Sequence, residues 1–334
     1  PHSHVVFLKT HKAGGSSLVN VLSRYGESRR LRFALPQRYQ FGYPAPFRAE
    51  RVRGFRPGGP KFDLLCHHMR FYLPEVQRVM PNDSFYFSIV RDPGTLGESA
   101  FRYFRAAAPA FRASPSLDAF LASPGRFFRP GARGNHYARN LQWFDFGLPE
   151  PAAPGEIPGI LEELERVFPL VLLAERFDEG LVLLRRRLCW PSDSVDLFPH
   201  NSRGRAPQAS PEQRRRLRAW NALDWALYSH FNRSFWRQAR RFGLEELQRE
   251  AAELRRRRER LAKECLRGGG PVPAQAIPEG SLRPFQPPGG DGILGFALRD
   301  GLGEQQRRRC GRMALPELPY TDLLRRLQFG NGTE

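Results

Sequence analysis

Apolar positions along the first hundred residues fall into two alternating rhythms. Val5-Val6-Phe7-Leu8 is a continuous apolar run, short enough for a strand and apolar on both faces, as a buried parallel strand requires. Small and polar residues follow, after which Leu18, Val19 and Leu22 resume at helical spacing. Phe62 to Cys66 predicts a second strand, the stretch around Glu75 to Met80 a helix, and Phe85 to Val90 a third strand ended by Arg91-Asp92-Pro93. Leu170 to Leu173 predicts a fourth strand, with Asp178 as the cap of a helix carrying Leu181, Leu184 and Leu188. Strands alternating with helices imply an α/β fold with a parallel central sheet flanked by helices. Sites on such sheets collect at the carboxyl ends of the strands.

Beyond this frame the pattern loosens. Residues 105–160 are rich in Pro, Ala and Gly and predict surface loops and short helices over the sheet. Residues 211–264 carry long helical patterns broken near Gly243, and the Arg255 to Arg258 run predicts a solvated helix face. No aromatics are interleaved with those arginines, which argues against a nucleic-acid arm. From Gly268 onward Gly and Pro dominate, so residues 1–264 are expected to form the main domain. Residues 265–334 are expected to be a loop-rich C-terminal extension packed on it.

Composition adds limits to this picture. With 334 residues, 40% hydrophobic and 12% aromatic, the chain can bury a sizeable core, which excludes global disorder. No window approaches 18 uninterrupted apolar residues, so no stretch reads as a bilayer span. Pro1 is not a natural start, so a targeting segment is expected to precede it. Lys+Arg number 53 against 34 Asp+Glu, a formal charge of +19, a field that attracts anions. The lysines are Lys9, Lys12, Lys61 and Lys263, and two of them fall in one glycine-containing loop. Cys66, Cys189, Cys265 and Cys310 include no CxxC pair, which disfavours a zinc cluster and leaves disulfides or free thiols. Asn82-Asp83-Ser84, Asn232-Arg233-Ser234 and Asn331-Gly332-Thr333 are glycosylation sequons. With the cysteines they point to the secretory pathway.

Three segments could carry chemistry. In Phe7-Leu8-Lys9-Thr10-His11-Lys12-Ala13-Gly14-Gly15-Ser16-Ser17 a buried strand ends, a loop of small residues follows and a helix begins. Small residues let backbone N–H groups approach an anion, the helix terminus adds a favourable dipole, and Lys12 adds a cation. GxxxxGK[ST] is absent and no carboxylate marks a magnesium site, so an anion bound without metal is expected. Cys66-His67-His68-Met69-Arg70-Phe71 places two histidines just past the second strand. One of them is a candidate general base, because adjacent residues of an extended chain point to opposite sides. Arg91 leaves the third strand and Ser99 follows eight residues later, a pair able to grip a second phosphate. An ordinary strand-to-helix turn, a structural histidine and a common Arg-Asp-Pro turn are the plainer alternatives.

Together these segments resemble the galactose 3-O-sulfotransferases, Golgi carbohydrate sulfotransferases that use 3'-phosphoadenosine 5'-phosphosulfate (PAPS). FLKTHK, HHMRF, MPNDSFYFSIVRDP, NHYARN, WFDFG, FDEGLVLLRRRLCW, RAWNALDWALYSHFNRSFW, GILGFALR and MALPELPY carry the likeness through nearly the whole chain. The resemblance implies a P-loop-like sulfotransferase fold and transfer of a sulfuryl group from PAPS to the 3-hydroxyl of a terminal β-galactose on glycoprotein or glycolipid glycans. Lys12, Ala13, Gly14, Gly15, Ser16 and Ser17 would hold the 5'-phosphosulfate, with Lys12 also catalytic and His68 as the base. Arg91 and Ser99 would hold the 3'-phosphate, while Asn201 and Arg203 resemble a segment that closes near the donor. The family's loop reads closer to HKTASST, so Ala13, Gly14 and Gly15 are departures, as is Gly97 in place of a bulkier apolar residue. These changes put loop rigidity and donor affinity in question.

The GNHYARN segment offers His136 and Arg139 as acceptor contacts, with Trp143 and Phe144 as stacking surfaces. The resemblance also implies a single-pass type II Golgi membrane protein with a lumenal catalytic part, its anchor outside this chain. Neither nucleic acid nor a metal is expected as partner. Cys265–Cys310 is the expected disulfide, since a staple helps most in a loop-rich tail. Two other classes compete: a kinase with a degenerate loop, which would need a divalent metal, and a non-catalytic paralogue that binds anionic glycans or nucleotides. The second predicts affinity that falls steeply with salt and does not need Lys12.

Overall fold

The computed structural model describes residues 1–200, 208–287 and 292–330. Its centre is a four-stranded parallel sheet of β1 (Val5–Leu8), β2 (Leu64–Leu65), β3 (Phe85–Val90) and β4 (Leu170–Leu173), in the order β2-β1-β3-β4. Val5 pairs with Leu64 on one side and Phe85 on the other, and Phe87 pairs with Leu170. All of β1 and β4 is buried, which explains why apolar runs rather than alternation marked them. The chain steps from β1 outward to β2 and then returns to the other side of β1 for β3. That reversal makes the carboxyl ends of β1 and β3 a topological switch point, where open α/β sheets bind ligands.

Helices α1 (Gly15–Ser28), α2 (Leu73–Val79) and α3 (Pro93–Tyr103) follow the first three strands. Then come α4 (Ile157–Val167), α5 (Phe177–Arg187), α6 (Pro211–Trp220), α7 (Ala222–Phe242) and α8 (Leu244–Cys265). α1 buries Leu18, Val19, Val21, Leu22 and Tyr25. A satellite cluster around Phe101, Phe111, Phe120 and Leu217 fills the space between α3, α6 and the short helices of residues 109–127.

Several local expectations are corrected by packing. Asp178 does not cap α5: the N-cap is Arg176 without a side-chain bond, and Asp178 lies in the first helical turn. There it pairs with Arg258 and, at 3.8 Å, with Arg255. The arginine run of α8 is therefore split, with Arg257 bonding Asp196 at 2.9 Å and Arg258 docking α8 onto α5. A Cβ on Gly97 would lie 2.6 Å from Leu217 Cδ2, where α3 and α6 meet, so a larger residue there needs Leu217 to shift.

Among the described residues of the tail, Val272–Pro273 pairs antiparallel with Leu294–Gly295, and α9 (Glu304–Ala314) and α10 (Glu317–Phe329) follow. Both pack on α1. Asn20 Nδ2 donates to the carbonyls of Arg312 and Leu315, and Glu27 accepts from Arg312 Nε and Tyr320 OH. Cys265 and Cys310 are disulfide-bonded across 45 residues, tying the end of α8 to α9. Cys66 is a buried free thiol and Cys189 an exposed one. Closing a loop of that length constrains the unfolded chain by about 4 kcal/mol. Replacing both cysteines by serine should cost about 2–4 kcal/mol in a denaturant titration, with the loss falling on α9 and α10.

Candidate active site

The loop between β1 and α1 is held from three directions. Thr10 Oγ1 donates to the Ile89 carbonyl of β3 at 2.5 Å. His11 is tied to Asp145 twice: its backbone N–H donates to Oδ2 at 2.8 Å, and its Nδ1 lies 3.0 Å from both oxygens. Lys9, only 5% exposed, places Nζ 2.5 Å from Glu317 Oε2 on α10, and Ser16 Oγ donates to the same oxygen. Burial opposes the Glu317 charge, but the Lys9 ammonium beside it holds its pKa below the usual carboxylate value.

The two glycines belong to this arrangement. Gly14 sits at φ +88, a conformation natural to glycine. A Cβ on Gly15 would lie 2.7 Å from Cγ of the Lys9 stem. Gly15 thus fits the loop to the buried lysine beneath it, while Gly14 faces Phe177. Among the described residues, the N-terminus of α1 has no side-chain cap and no acidic residue in its first turn, so its dipole favours an anion there. Lys12 adopts φ 60, its ammonium lies 3.9 Å from the Tyr103 ring centroid, and its carbonyl accepts from Arg91 Nη1 at 3.0 Å. Ser17 Oγ accepts from the His200 backbone N–H at 2.9 Å.

Past β2 the two histidines point different ways. His67 is buried, with Nε2 2.8 Å from Thr321 Oγ1. The Thr321 hydroxyl already donates to the Glu317 carbonyl, so His67 Nε2 is the donor. Burial first of all brings its pKa down to about 4; it is a neutral structural residue. His68 turns toward the loop and stacks on His11, ring centroids 3.9 Å apart at 9°. Its Nδ1 lies 3.0 Å from the Lys9 carbonyl, which can only accept. The proton is therefore on Nδ1, and Nε2 carries the lone pair. Burial, then the neighbouring His11 and Lys9, hold the His68 pKa well below the ordinary value.

Arg91 leaves β3 with its backbone clamped by Gln142, which accepts from its N–H at 2.7 Å and donates to its carbonyl at 2.9 Å. Its Nε donates to Thr95 Oγ1 at 3.0 Å. Thr95 and Ser99 stand one turn apart on α3, so they share a face of that helix. Asp92 caps α3 by accepting from the Gly94 N–H and is itself paired with Arg218.

His136 lies near this group, its ring 5.3 Å from Tyr43, which in turn is 4.7 Å from His11. Burial lowers its pKa to about 4. Arg139 is directed elsewhere: its guanidinium lies 4.6 Å from the Trp220 ring centroid, against the satellite cluster. Trp143 is fully buried and unavailable to a sugar. Asn201, Arg203 and Asn331 lie outside the described residues. Asn82 is exposed in the turn before β3, whereas Asn232 is half-buried on α7 and Ser234 of its sequon donates to Glu165 at 2.5 Å.

Four participants were not read from the sequence. His11, Asp145, Tyr43 and Glu317 form the framework around His68 and Lys9, and Tyr43 OH donates to Asp145 Oδ1 at 2.8 Å. His11 and Asp145 were both inside segments carrying the family likeness, FLKTHK and WFDFG, but no spacing rule joins them. Two surface clefts lie away from these residues. One of about 500 Å³ is lined by Lys263, Arg267 and Asp300, and one of about 690 Å³ by Arg24, Arg29, Asp196 and Arg309 at the far end of α1. Neither contains a histidine. Among the described residues no cluster of three or more His, Cys, Asp or Glu is arranged to hold a metal.

A cationic loop suited to an anionic donor, beside a neutral imidazole suited to a hydroxyl proton, defines a group-transfer enzyme of the α/β class. The chain belongs to the galactose-3-O-sulfotransferase family, whose model matches residues 1–328. It is 48% identical to human galactose-3-O-sulfotransferase 2 over 339 residues, covering 98% of this chain and 84% of that protein. Bovine galactose-3-O-sulfotransferase 4 is 46% identical over 404 residues, covering 98% and 83%. Human galactosylceramide sulfotransferase is 42% identical over 329 residues, covering 96% and 77%.

Proposed function

We propose that this enzyme uses PAPS as donor and transfers its sulfuryl group to the 3-hydroxyl of a terminal β-galactose on glycoprotein or glycolipid glycans. The observation that carries this reading is the placement of His68. Its Nδ1 is engaged by the Lys9 carbonyl, and its ring stacks on His11 of the same loop that carries Lys12 just before the N-terminus of α1. The donor supplies an activated sulfate on a nucleotide leaving group. Lys12 and the amides from Gly14 to Ser17 would hold its charged 5' end and stabilise charge growing there. Arg91 and Ser99, with Thr95 between them, would hold the second phosphate. His68 Nε2 would accept the proton of the attacking galactose hydroxyl. His11, fixed by Asp145, keeps the His68 ring in place.

The extension from residue 265 is proposed to belong to the same functional unit as residues 1–264, supported by the Lys9–Glu317 pair and the α9–α10 contacts with α1. The exposed Asn82 sequon and the Cys265–Cys310 bond favour a lumenal Golgi setting. Among the described residues no helix is long and apolar enough to cross a membrane.

Labelled sulfate from PAPS should appear on a methyl β-galactoside, and the rate should be unchanged by EDTA. A metal-dependent kinase would instead stop in chelator and transfer phosphate from ATP. The pH profile is a second check. Only neutral His68 can take a proton, and its lowered pKa keeps it neutral where an ordinary imidazole near 6.5 is half protonated. The acid limb of kcat/KM should therefore lie below pH 6.5 and vanish in His68→Ala.

Stability should show the same sign. His67 and His200 have folded pKa values of about 4 against an ordinary 6.5, chiefly through burial. Folding excludes their protons, so their contribution is complete above pH 6.5 and is lost as pH falls toward 4. Tm should decline across that window.

A further inference from the structure

Among the described residues seven buried side-chain polar atoms lack a hydrogen-bond partner, and two of them, Arg70 Nε and His136 Nε2, fall in one place. Both belong to side chains packed on one ring. The Arg70 guanidinium lies 4.1 Å from the Phe144 centroid, and His136 stacks on Phe144 at 4.7 Å and 21°. Tyr43 links this group to the base, with its ring 5.8 Å from Phe144, 5.3 Å from His136 and 4.7 Å from His11, which carries His68. Among the described residues Arg70 forms no ion pair with a carboxylate, and it is only partly buried. Orphaned buried donors and acceptors are rare because each loses its water without replacement. Two of them around a single aromatic ring, one relay of rings from a general base, mark a place where a polar ligand completes the bonding.

We infer that Arg70 and His136, mounted on Phe144, form the subsite that orients the acceptor sugar by hydrogen bonds to its ring hydroxyls, with Arg70 as its specificity-determining residue. This inference rests on the galactoside reading above and deepens it. A guanidinium N–H donates to a hydroxyl oxygen, and a neutral imidazole can donate to or accept from a second hydroxyl. Lys12 and Arg91 already provide for the charged donor at the ends of β1 and β3, which leaves this aromatic-backed pair for an uncharged polyhydroxyl. A site built to bond a hydroxyl discriminates strongly against an analogue lacking it.

The test uses the full chain with saturating PAPS and methyl β-galactoside, together with its 2-, 4- and 6-deoxy analogues. The unaltered enzyme should lose about 10- to 100-fold in kcat/KM on one deoxy position, the scale of a hydrogen bond to a charged group. Arg70→Leu should raise the acceptor KM by a similar factor, leave affinity for 3'-phosphoadenosine 5'-phosphate (PAP) unchanged and no longer distinguish that analogue. Arg70→Lys keeps the charge and the stem over Phe144 but not Nε, and should show the same loss of discrimination, with PAP binding measured alongside as the check that the protein is folded. An unchanged acceptor KM in both variants would overturn the subsite while leaving sulfate transfer intact. So would a loss confined to acidic acceptors. No transfer to any galactoside by the unaltered enzyme would overturn the parent reading and this subsite with it.

Discussion

His68→Ala is expected to lower turnover by about 100- to 10,000-fold, the usual contribution of a positioned general base, while PAP binds as before. The argument is one of tautomer and position rather than of histidine content. The Lys9 carbonyl fixes the proton on Nδ1, and stacking on His11 fixes the ring plane, so the lone pair on Nε2 is pre-set. Alanine removes the base without touching Lys12, Arg91 or the α1 terminus. The loss should therefore appear in kcat at saturating donor. His67→Ala provides the contrast, because His67 is bonded to Thr321 inside the core. It should reduce stability and leave turnover of the folded protein close to normal. Equal turnover losses for the two variants, measured on folded samples, would contradict the assignment.

Glu317→Ala is expected to be the most destabilising single change around the site, by about 3–5 kcal/mol, because it leaves the Lys9 ammonium buried and unpaired. Ser16 loses its acceptor as well, so the loop should loosen and PAP affinity fall with stability. Removing both charges together, as Lys9→Met with Glu317→Leu, should recover much of the stability, since a buried ion pair is often no better than an apolar pair of similar volume. Urea titration of the three proteins measures the difference. PAP calorimetry then separates loop order from global stability.

What could be read from the chain follows from how local each feature is. β1 and β4 are continuous apolar runs, β3 is one but for Ser88, and none needed a partner to be visible; Lys12, His68 and Arg91 stand out because each follows a strand end. β2 covers only Leu64–Leu65 of the expected Phe62–Cys66; it pairs along β1, and on its other side Leu64 is bridged to Phe33. α9 was hidden by its composition: Glu304 to Arg309 is entirely polar, and its buried residues are Cys310, Met313 and Ala314 near its end. The site's supports were invisible for a different reason. His11 meets Asp145 across 134 residues and Lys9 meets Glu317 across 308, distances at which no periodicity or spacing carries information. The glycines of the loop read as a loss of affinity from sequence alone. In the fold Gly15 lies against the Lys9 stem, where a Cβ would come within 2.7 Å of Cγ, and Gly14 adopts a positive φ.

The most direct measurement is the position of the sulfate ester in the product formed from PAPS and a β-galactose-terminated oligosaccharide. The account predicts a single ester on O3 of the terminal galactose, formed in the presence of chelator. An ester at another carbon, or no ester from a folded protein that binds PAP, would contradict it.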